Sequence, residues 1–182
     1  MAYETQEVVM SEDGRYRYSL ATKTQASGEN KLVVVQCNPS LASAGRSDAT
    51  VGKVSFWAKE RGFSRVTFLN LFAYISPYQS TLGALAFEEL VGTDNDEHIR
   101  AAVTIAESTV VLAWGGLDPA IRDHYARRLV EVKRILDQSR ASLHHVGRLS
   151  YGKFPRHGRM WNKNDRDLRP LDWAPILASA TP

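Results

Sequence analysis

Short runs of consecutive apolar residues alternate with amphipathic stretches along this chain. The segment KLVVVQCNPS contains the run Leu32–Val35, which is typical of a strand buried on both faces. Because proline cannot donate to a sheet, Pro39 predicts that this strand ends in the polar turn Asn38-Pro39-Ser40. Comparable apolar runs predict three further buried strands, over 64–72, 108–114 and 143–146.

Apolar residues at helical spacing lie between these predicted strands. They predict helices over 51–61, 97–107 and about 119–138, with Gly62 just past the end of the first. Residues 15–20 alternate and predict an edge strand, whereas the polar residues 1–14 predict a frayed or capping segment. The alternation of strands and helices favours an α/β protein. We expect a single domain over 1–182, a three-layer α/β/α sandwich around a mostly parallel four-stranded sheet.

Composition narrows the class of protein. The chain has 182 residues, of which 43% are hydrophobic and 24% charged, as in a soluble globular domain. It begins without the features of a secretory signal and has no run long enough to span a bilayer, so we expect a cytoplasmic protein without a membrane partner. The single cysteine and the scattered histidines lack zinc-ligand spacing. We therefore expect a monomer without a metal or other cofactor.

Polar residues follow the predicted strands. Asn38 follows the first, Asn70 interrupts the second, glycines follow the third, and His157 lies in the loop after the fourth. Carboxyl ends of parallel strands meet at one edge, where open α/β sheets bind ligands. An Asn in a buried strand is costly unless its amide is satisfied, so Asn70 is either a structural or a ligand-binding residue. For Asn38 the structural alternative is an Asx turn, and for His157 it is an ordinary loop histidine.

Positive charge is concentrated near the end of the chain, although the net charge is only +3. Seven basic residues lie between 148 and 169, opposed there by two aspartates and interleaved with Tyr151, Phe154 and Trp161. Such a mixture is typical of a nucleic-acid surface, and equally of a solvated, loop-rich region.

Several motifs resemble the uracil-DNA glycosylase superfamily, and most closely its mismatch-specific uracil/thymine branch. VVVQCNPSLASAGRSDATVGKVSFWAKERGF is similar to the first motif region, through Asn38-Pro39-Ser40, the small-residue loop 41–45, and the pairs Phe56-Trp57 and Gly62-Phe63. VTFLNLFAY resembles the strand whose Asn reads the base, and STVVLAWGG the strand ending in Trp-Gly. The loop of His157 occupies the place of the final His-Pro-Ser motif. Each motif is short.

Two departures from this pattern concern the pocket. Ser40 replaces a glycine or aromatic residue, and Gly158-Arg159 follow the histidine where Pro-Ser is usual. The chain is also similar to a bacterial and phage family of unknown function that carries Asn-Pro-Ser and Asn-Leu-Phe-Ala motifs.

The glycosylase resemblance implies an enzyme that flips a pyrimidine out of DNA and hydrolyses its N-glycosidic bond. The base would be modified or mismatched, and the setting DNA repair or defence against phage with modified DNA. The implied catalytic residues are Asn38, which would orient water, His157, which would stabilise the leaving base, and Asp48, either a general base or a surface loop residue. Asn70 would read the base edge. The other implied assignments are Cys37, Ser40 and Phe56 to the base pocket, and Lys153, Arg156 and Arg159 to DNA phosphates.

Two other functions remain open at this point. The first is a non-catalytic DNA-binding module on the same fold. The second is a hydrolase of a free nucleoside or nucleotide, which the absence of a glycine-rich phosphate loop disfavours.

Overall fold

The computed structural model describes residues 3–40, 48–104 and 109–180. Within these ranges the chain forms a seven-stranded mixed sheet with helices on both faces. The strands are β1 (Tyr3–Met10), β2 (Arg17–Thr24), β3 (Lys31–Gln36), β4 (Arg65–Asn70), β5 (Thr109–Leu112), β6 (Ser142–Val146) and β7 (Leu168–Pro170). The helices are α1 (Ala49–Glu60), α2 (Phe87–Val91), α3 (Asn95–Thr104), α4 (Arg122–Asp137) and α5 (Trp173–Ala178), with 3₁₀ turns at Gln79–Ala84, Pro119–Ile121 and Gly158–Met160.

The strands are arranged in the order β1-β2-β4-β3-β5-β6-β7. The central strands β4, β3, β5 and β6 pair in parallel, whereas β1–β2, β2–β4 and β6–β7 pair antiparallel. The fold is α/β, but the predicted mostly parallel four-stranded sheet is wrong, because half of these pairings within the described residues are antiparallel. The outer strands escaped prediction since β1 is largely exposed and β7 has only three residues. Neither contains a buried apolar run.

The strand β2 corrects the prediction for the start of the chain. It lies between β1 and β4 and is not an edge strand, while the segment expected to be frayed forms the edge strand β1. A register shift against β1 makes Tyr18 an extra residue in β2. Such a bulge breaks the alternation of faces. Tyr18 therefore stacks on His98 of α3, while buried Arg17 lies within electrostatic reach of Asp48, which precedes α1.

Each face of the central sheet has its own apolar core. Val34 packs in the core that includes Val54 and Trp57 of α1, and Val35 packs in the core that includes residues of α3 and α4. Because side chains alternate along a strand, Gln36 belongs to the α1 face of β3. The helix predictions are close to the observed bounds, and Gly62 follows α1 with a φ of 78°.

Candidate functional site

The direction in which the chain crosses the sheet changes at β3. The chain passes from β3 through α1 to β4 on one side, and later reaches β5 on the other side of β3. Such a switch point opens a crevice beyond the carboxyl ends of the strands, where open α/β sheets bind ligands. In this protein the ends of β3 and β5 meet the 3₁₀ turn Gly158–Met160 and its cap His157 at that edge.

Two buried amide side chains lie next to each other at this edge. Gln36 and Asn70 are paired residues on neighbouring parallel strands, so both side chains leave the same face of the sheet. Asn70 is fully buried and Gln36 is 7% exposed. Within the described residues, Gln36 Nε2 and both amide atoms of Asn70 lack a hydrogen-bond partner. Since buried polar groups are nearly always paired, three such atoms side by side mark a candidate place for a ligand or a water molecule.

The backbone after Asn70 is held rigidly from the other face of the sheet. Asn95 Nδ2 donates to the carbonyl oxygens of Asn70 (3.2 Å) and Leu71 (3.1 Å). Arg128 Nε donates to the same Leu71 oxygen at 2.6 Å, and its Nη2 lies 2.6 Å from Asp96. Both Asn95 and Arg128 are fully buried. They position the end of β4 without using the side chain of Asn70.

The side chain of Asn38 is oriented by the loop after β4. Its Nδ2 donates to the carbonyl oxygens of Ser76 (2.8 Å) and Pro39 (3.2 Å). The backbone amide of Ser76 in turn donates to the Pro39 oxygen at 3.0 Å. Because both amide hydrogens of Asn38 are used, its Oδ1 is the atom left to accept a hydrogen bond from a ligand or a water molecule.

Asp48 is the N-cap of α1. Its Oδ1 accepts from the backbone amides of Thr50 (2.5 Å) and Val51 (3.4 Å), and its Oδ2 accepts from Ser40 Oγ at 2.5 Å. Burial raises the pKa of Asp48, but these hydrogen bonds outweigh burial and leave the pKa below its usual value. The site therefore contains an ionised carboxylate whose orientation is set by the helix that it caps.

His157 lies in the loop after β6 and caps the 3₁₀ turn that follows it. The backbone amide of Arg159 donates to His157 Nδ1 at 3.1 Å. Nδ1 is thus an acceptor, and the neutral ring carries its proton on Nε2. Burial lowers the pKa of His157, and Arg159 lowers it further while Asp48 opposes the change. At neutral pH the ring is an uncharged donor.

Gly115 allows His157 to lie close to the end of β5. A Cβ at Gly115 would lie 2.8 Å from the Cβ of His157, and the φ of Gly115 is 76°. A side chain at this position would be strained and would displace the histidine. Gly158, which follows His157 in the chain, lies equally close to α1, since a Cβ there would lie 2.6 Å from Val54 Cγ2.

Two residues of this site, Gln36 and Arg17, are absent from the sequence-based assignment. The sequence carries a signal for Gln36, because Gln36 is the polar residue that ends the apolar run 32–35. Asn70 ends the neighbouring strand in the same way, and the two residues pair. Arg17 has none, since the bulge at Tyr18 determines the face on which it lies. Burial lowers the pKa of Arg17, and the charge of Asp48 opposes this.

Two residues assigned to the base pocket lie elsewhere. Cys37 is buried in the apolar core on the α3–α4 face, and burial raises the pKa of its thiol to about 12. Phe56 is 43% exposed, whereas its neighbours Ser55 and Trp57 are buried. The structure brings neither side chain to the amide pair. The third, Ser40, lies at the site through its hydrogen bond to Asp48.

The cations assigned to DNA differ in their surroundings. Lys153 and Arg159 are exposed. Arg156 Nη1 donates to the backbone oxygens of Asn164 and Asp165, each at 2.7 Å, so this guanidinium holds a loop together. Lys153 and Arg159 therefore remain as cations available to a partner, and the backbone of Arg159 contacts His157.

The predicted small-residue loop 41–45 lies outside the described residues. Within the ranges that the structure describes, no group of three His, Cys, Asp or Glu side chains is placed to hold a metal ion. No helix in the same ranges is long and apolar enough to cross a membrane.

A cavity of about 740 Å³ lies at the opposite, amino-terminal edge of the strands. Its lining includes Lys23, Glu29, Lys31 and Arg65. None of its residues has an unpartnered buried side-chain atom among the described residues. We therefore place the candidate site at the carboxyl edge, where the buried unpartnered amides lie.

These features describe an α/β protein with a candidate ligand site at the switch point of its sheet. The chain belongs to the family described as "Protein of unknown function (DUF1643)", whose sequence profile matches residues 17–158. No curated protein and no solved structure matches the chain. The resemblance to a family of unknown function is thus confirmed. The matched segment begins at Arg17 and contains Gln36, Asn70 and His157.

Proposed function

We propose that this protein is a DNA glycosylase that flips out a modified or mismatched pyrimidine and hydrolyses its N-glycosidic bond. The observation that carries the proposal is the amide of Asn70, which is fully buried and has no partner for either atom within the described residues. An amide offers a donor and an acceptor side by side, as the edge of a base requires. A base removed from its stack can enter such a pocket. The motif resemblance supports the same reading.

The leaving base needs stabilisation because it departs with the electrons of the glycosidic bond. Nε2–H of neutral His157 is suited to donate to a base oxygen on which negative charge develops. A cationic imidazole would lose its proton to the departing anion more readily. The low pKa of His157 therefore favours a fixed donor that keeps its proton.

The sugar side of the site needs a water molecule and negative charge. Asn38 Oδ1 accepts a hydrogen bond from the attacking water, in an orientation set by its bonds to Ser76 and Pro39. The proton that the water loses on adding to the sugar is taken up by the departed base anion. Asn38 itself is a weak base. Ionised Asp48 provides the negative charge that stabilises positive charge on the sugar, and its hydrogen bonds fix the direction of that charge.

Binding of the DNA strand is the proposed role of Lys153 and Arg159. Both are exposed, and Arg159 lies two residues after His157. Arg148 adds a third exposed cation to the same loop region. Phosphate contacts of this kind make binding depend on salt concentration.

Base release is the test. Single- and double-stranded DNA carrying uracil, G·T mismatches, or hydroxymethylated or glucosylated pyrimidines is incubated with the protein, and abasic sites are cleaved by alkali. We expect strand breaks with one class of base, and a loss of at least about a hundredfold in His157→Gln. Asn38→Ala should be inactive. The matched controls are His144→Gln on β6 and exposed Asn30→Ala before β3, and both should keep full activity.

The same experiment separates the two other functions. Salt-sensitive DNA binding without base release from any substrate would replace the proposal with a DNA-binding module. Release from free nucleosides but not from DNA would indicate a nucleoside hydrolase. Activity that persists in both His157→Gln and Asn38→Ala would contradict the assignment of this site.

A further inference from the structure

We infer that Gln36 is a second base-reading residue, which donates from Nε2 to a ring acceptor beside the edge that Asn70 reads. This inference rests on the proposed function and deepens it. Neither the motif resemblance nor the family assigns a role to Gln36. With Gln36 and Asn70 together, the pocket would select for pyrimidines, because a pyrimidine edge matches the number of donors and acceptors that the two side chains present.

The position of Gln36 is defined by its neighbours in the sheet and in the loop above it. It pairs in register with Asn70 across the parallel β3–β4 ladder, and adjacent strands lie about 4.8 Å apart. A Cβ placed on Gly158 would lie 3.6 Å from Gln36 Nε2. Gln36 therefore lies between Asn70 and the turn that begins at His157.

The burial of Gln36 is not explained by a structural role. Its side chain is more than nine-tenths buried, and Nε2 has no partner within the described residues. By contrast, the amide nitrogen of Asn95 is equally deep and bonds to two carbonyl oxygens. An unpaired buried amide costs stability, and a ligand that pairs with it recovers that cost on binding.

The donors and acceptors of the pair match one kind of ring. The unpartnered groups are the NH₂ of Gln36, the NH₂ of Asn70 and the carbonyl of Asn70, which amount to two donor groups and one acceptor. Their complement is an edge with two acceptors and one donor. Both 2,4-dioxo and 4-amino-2-oxo pyrimidines present such an edge. On their Watson–Crick edge adenine and hypoxanthine present one acceptor and one donor, so a purine read at that edge would leave one amide of the pair unpaired.

The test measures binding of free bases, and so does not depend on catalysis. Uracil, thymine, cytosine, adenine and hypoxanthine are titrated into the full chain and followed by NMR. We expect the pyrimidines to bind more tightly than the purines, and Gln36→Met to weaken pyrimidine binding about five- to tenfold. Gln138→Met, at the exposed end of α4, is the matched control and should bind as the wild type does.

Thiouracils identify the atom that Gln36 contacts. Sulfur is a weak acceptor, so replacing the contacted oxygen weakens binding to the wild type. With Gln36→Met the same replacement should have no further effect, because the donor is already absent. Comparing 2-thiouracil with 4-thiouracil then tells which carbonyl Gln36 meets. Equal losses in both proteins for both analogues would overturn the inference.

The outcomes for this inference and for the proposed function are distinct. Equal pyrimidine affinity in wild type and Gln36→Met, or no pyrimidine binding by the wild type, overturns the role of Gln36 whatever the base-release assay shows. Pyrimidine binding that weakens in Gln36→Met supports the role, even where no base is released from DNA. In that case the glycosylase proposal fails and a base-binding site stands.

Discussion

Replacing Asn70 with leucine should make this protein more stable. Leucine has the same branched shape as asparagine and no polar atoms. Asn70 is fully buried and neither of its amide atoms has a partner within the described residues. A buried polar group without a partner costs about 1–3 kcal/mol. Asn70→Leu should remove that cost and raise the free energy of unfolding by about the same amount.

Asn95 provides the matched control for this substitution. It is also a fully buried asparagine, and its Oδ1 likewise lacks a partner within the described residues, but its Nδ2 bonds to the carbonyl oxygens of Asn70 and Leu71. Asn95→Leu removes both hydrogen bonds from buried oxygens. It should therefore lower the free energy of unfolding by about 2 kcal/mol or more.

The assay is thermal and urea unfolding at pH 7 without nucleic acid, followed by circular dichroism. For a chain of this length about 1 kcal/mol changes Tm by roughly 2–4 °C, so Asn70→Leu should raise Tm by roughly 2–12 °C. A Tm that falls in Asn70→Leu as it does in Asn95→Leu would refute the reasoning. Asn70 would then be a structural amide, and the main support for the ligand site would be lost.

Two further predictions concern the charged groups of the site. Asp48→Ser keeps a good N-cap for α1 but removes the carboxylate, so the free energy of unfolding should change by less than about 1 kcal/mol while base release falls at least about tenfold. Asp48→Ala removes both the cap and the carboxylate, so it should lower stability in thermal unfolding as well as base release. Because burial lowers the pKa of His157 in the folded protein, the unfolded chain takes up this proton at a higher pH than the folded protein does. The free energy of unfolding should therefore fall as the pH drops below 6.5 toward the lowered pKa. His145, whose pKa burial also lowers, contributes in the same sense. Urea unfolding across pH should show a weaker dependence in His157→Gln and in His145→Gln, and an unchanged dependence in both would contradict the buried neutral state.

Much of the central fold could be predicted because its causes are local. Runs such as Leu32–Val35 carry β-branched residues that suit a strand covered on both faces, and the observed central strands are parallel. Polar residues at strand ends placed Asn38, Asn70 and His157 at one edge, since parallel strands end together. The roles proposed for these residues remain to be tested.

The edges of the sheet were not predictable in the same way. Within the described residues β1 pairs only with β2, and β7 only with β6, so neither needs an apolar run. An edge strand forms because a neighbouring strand offers free backbone groups, and the edge strand's own apolar pattern does not show this. The count of strands and the proportion of antiparallel pairs therefore depend on tertiary structure.

Local patterns of apolar and polar residues were enough to predict the central strands and the end of β3 before Pro39. Which side chains share the site depends instead on how distant segments pack together. A bulge at Tyr18 brought Arg17 in, the helix phase turned Phe56 outward, and bonds to Asn164 and Asp165 committed Arg156 to a loop. The spacing of apolar residues along the chain predicts which positions are buried. The partner of a buried polar group lies far along the chain, and only the folded arrangement shows that the amide of Asn70 and the Nε2 of Gln36 have none among the described residues.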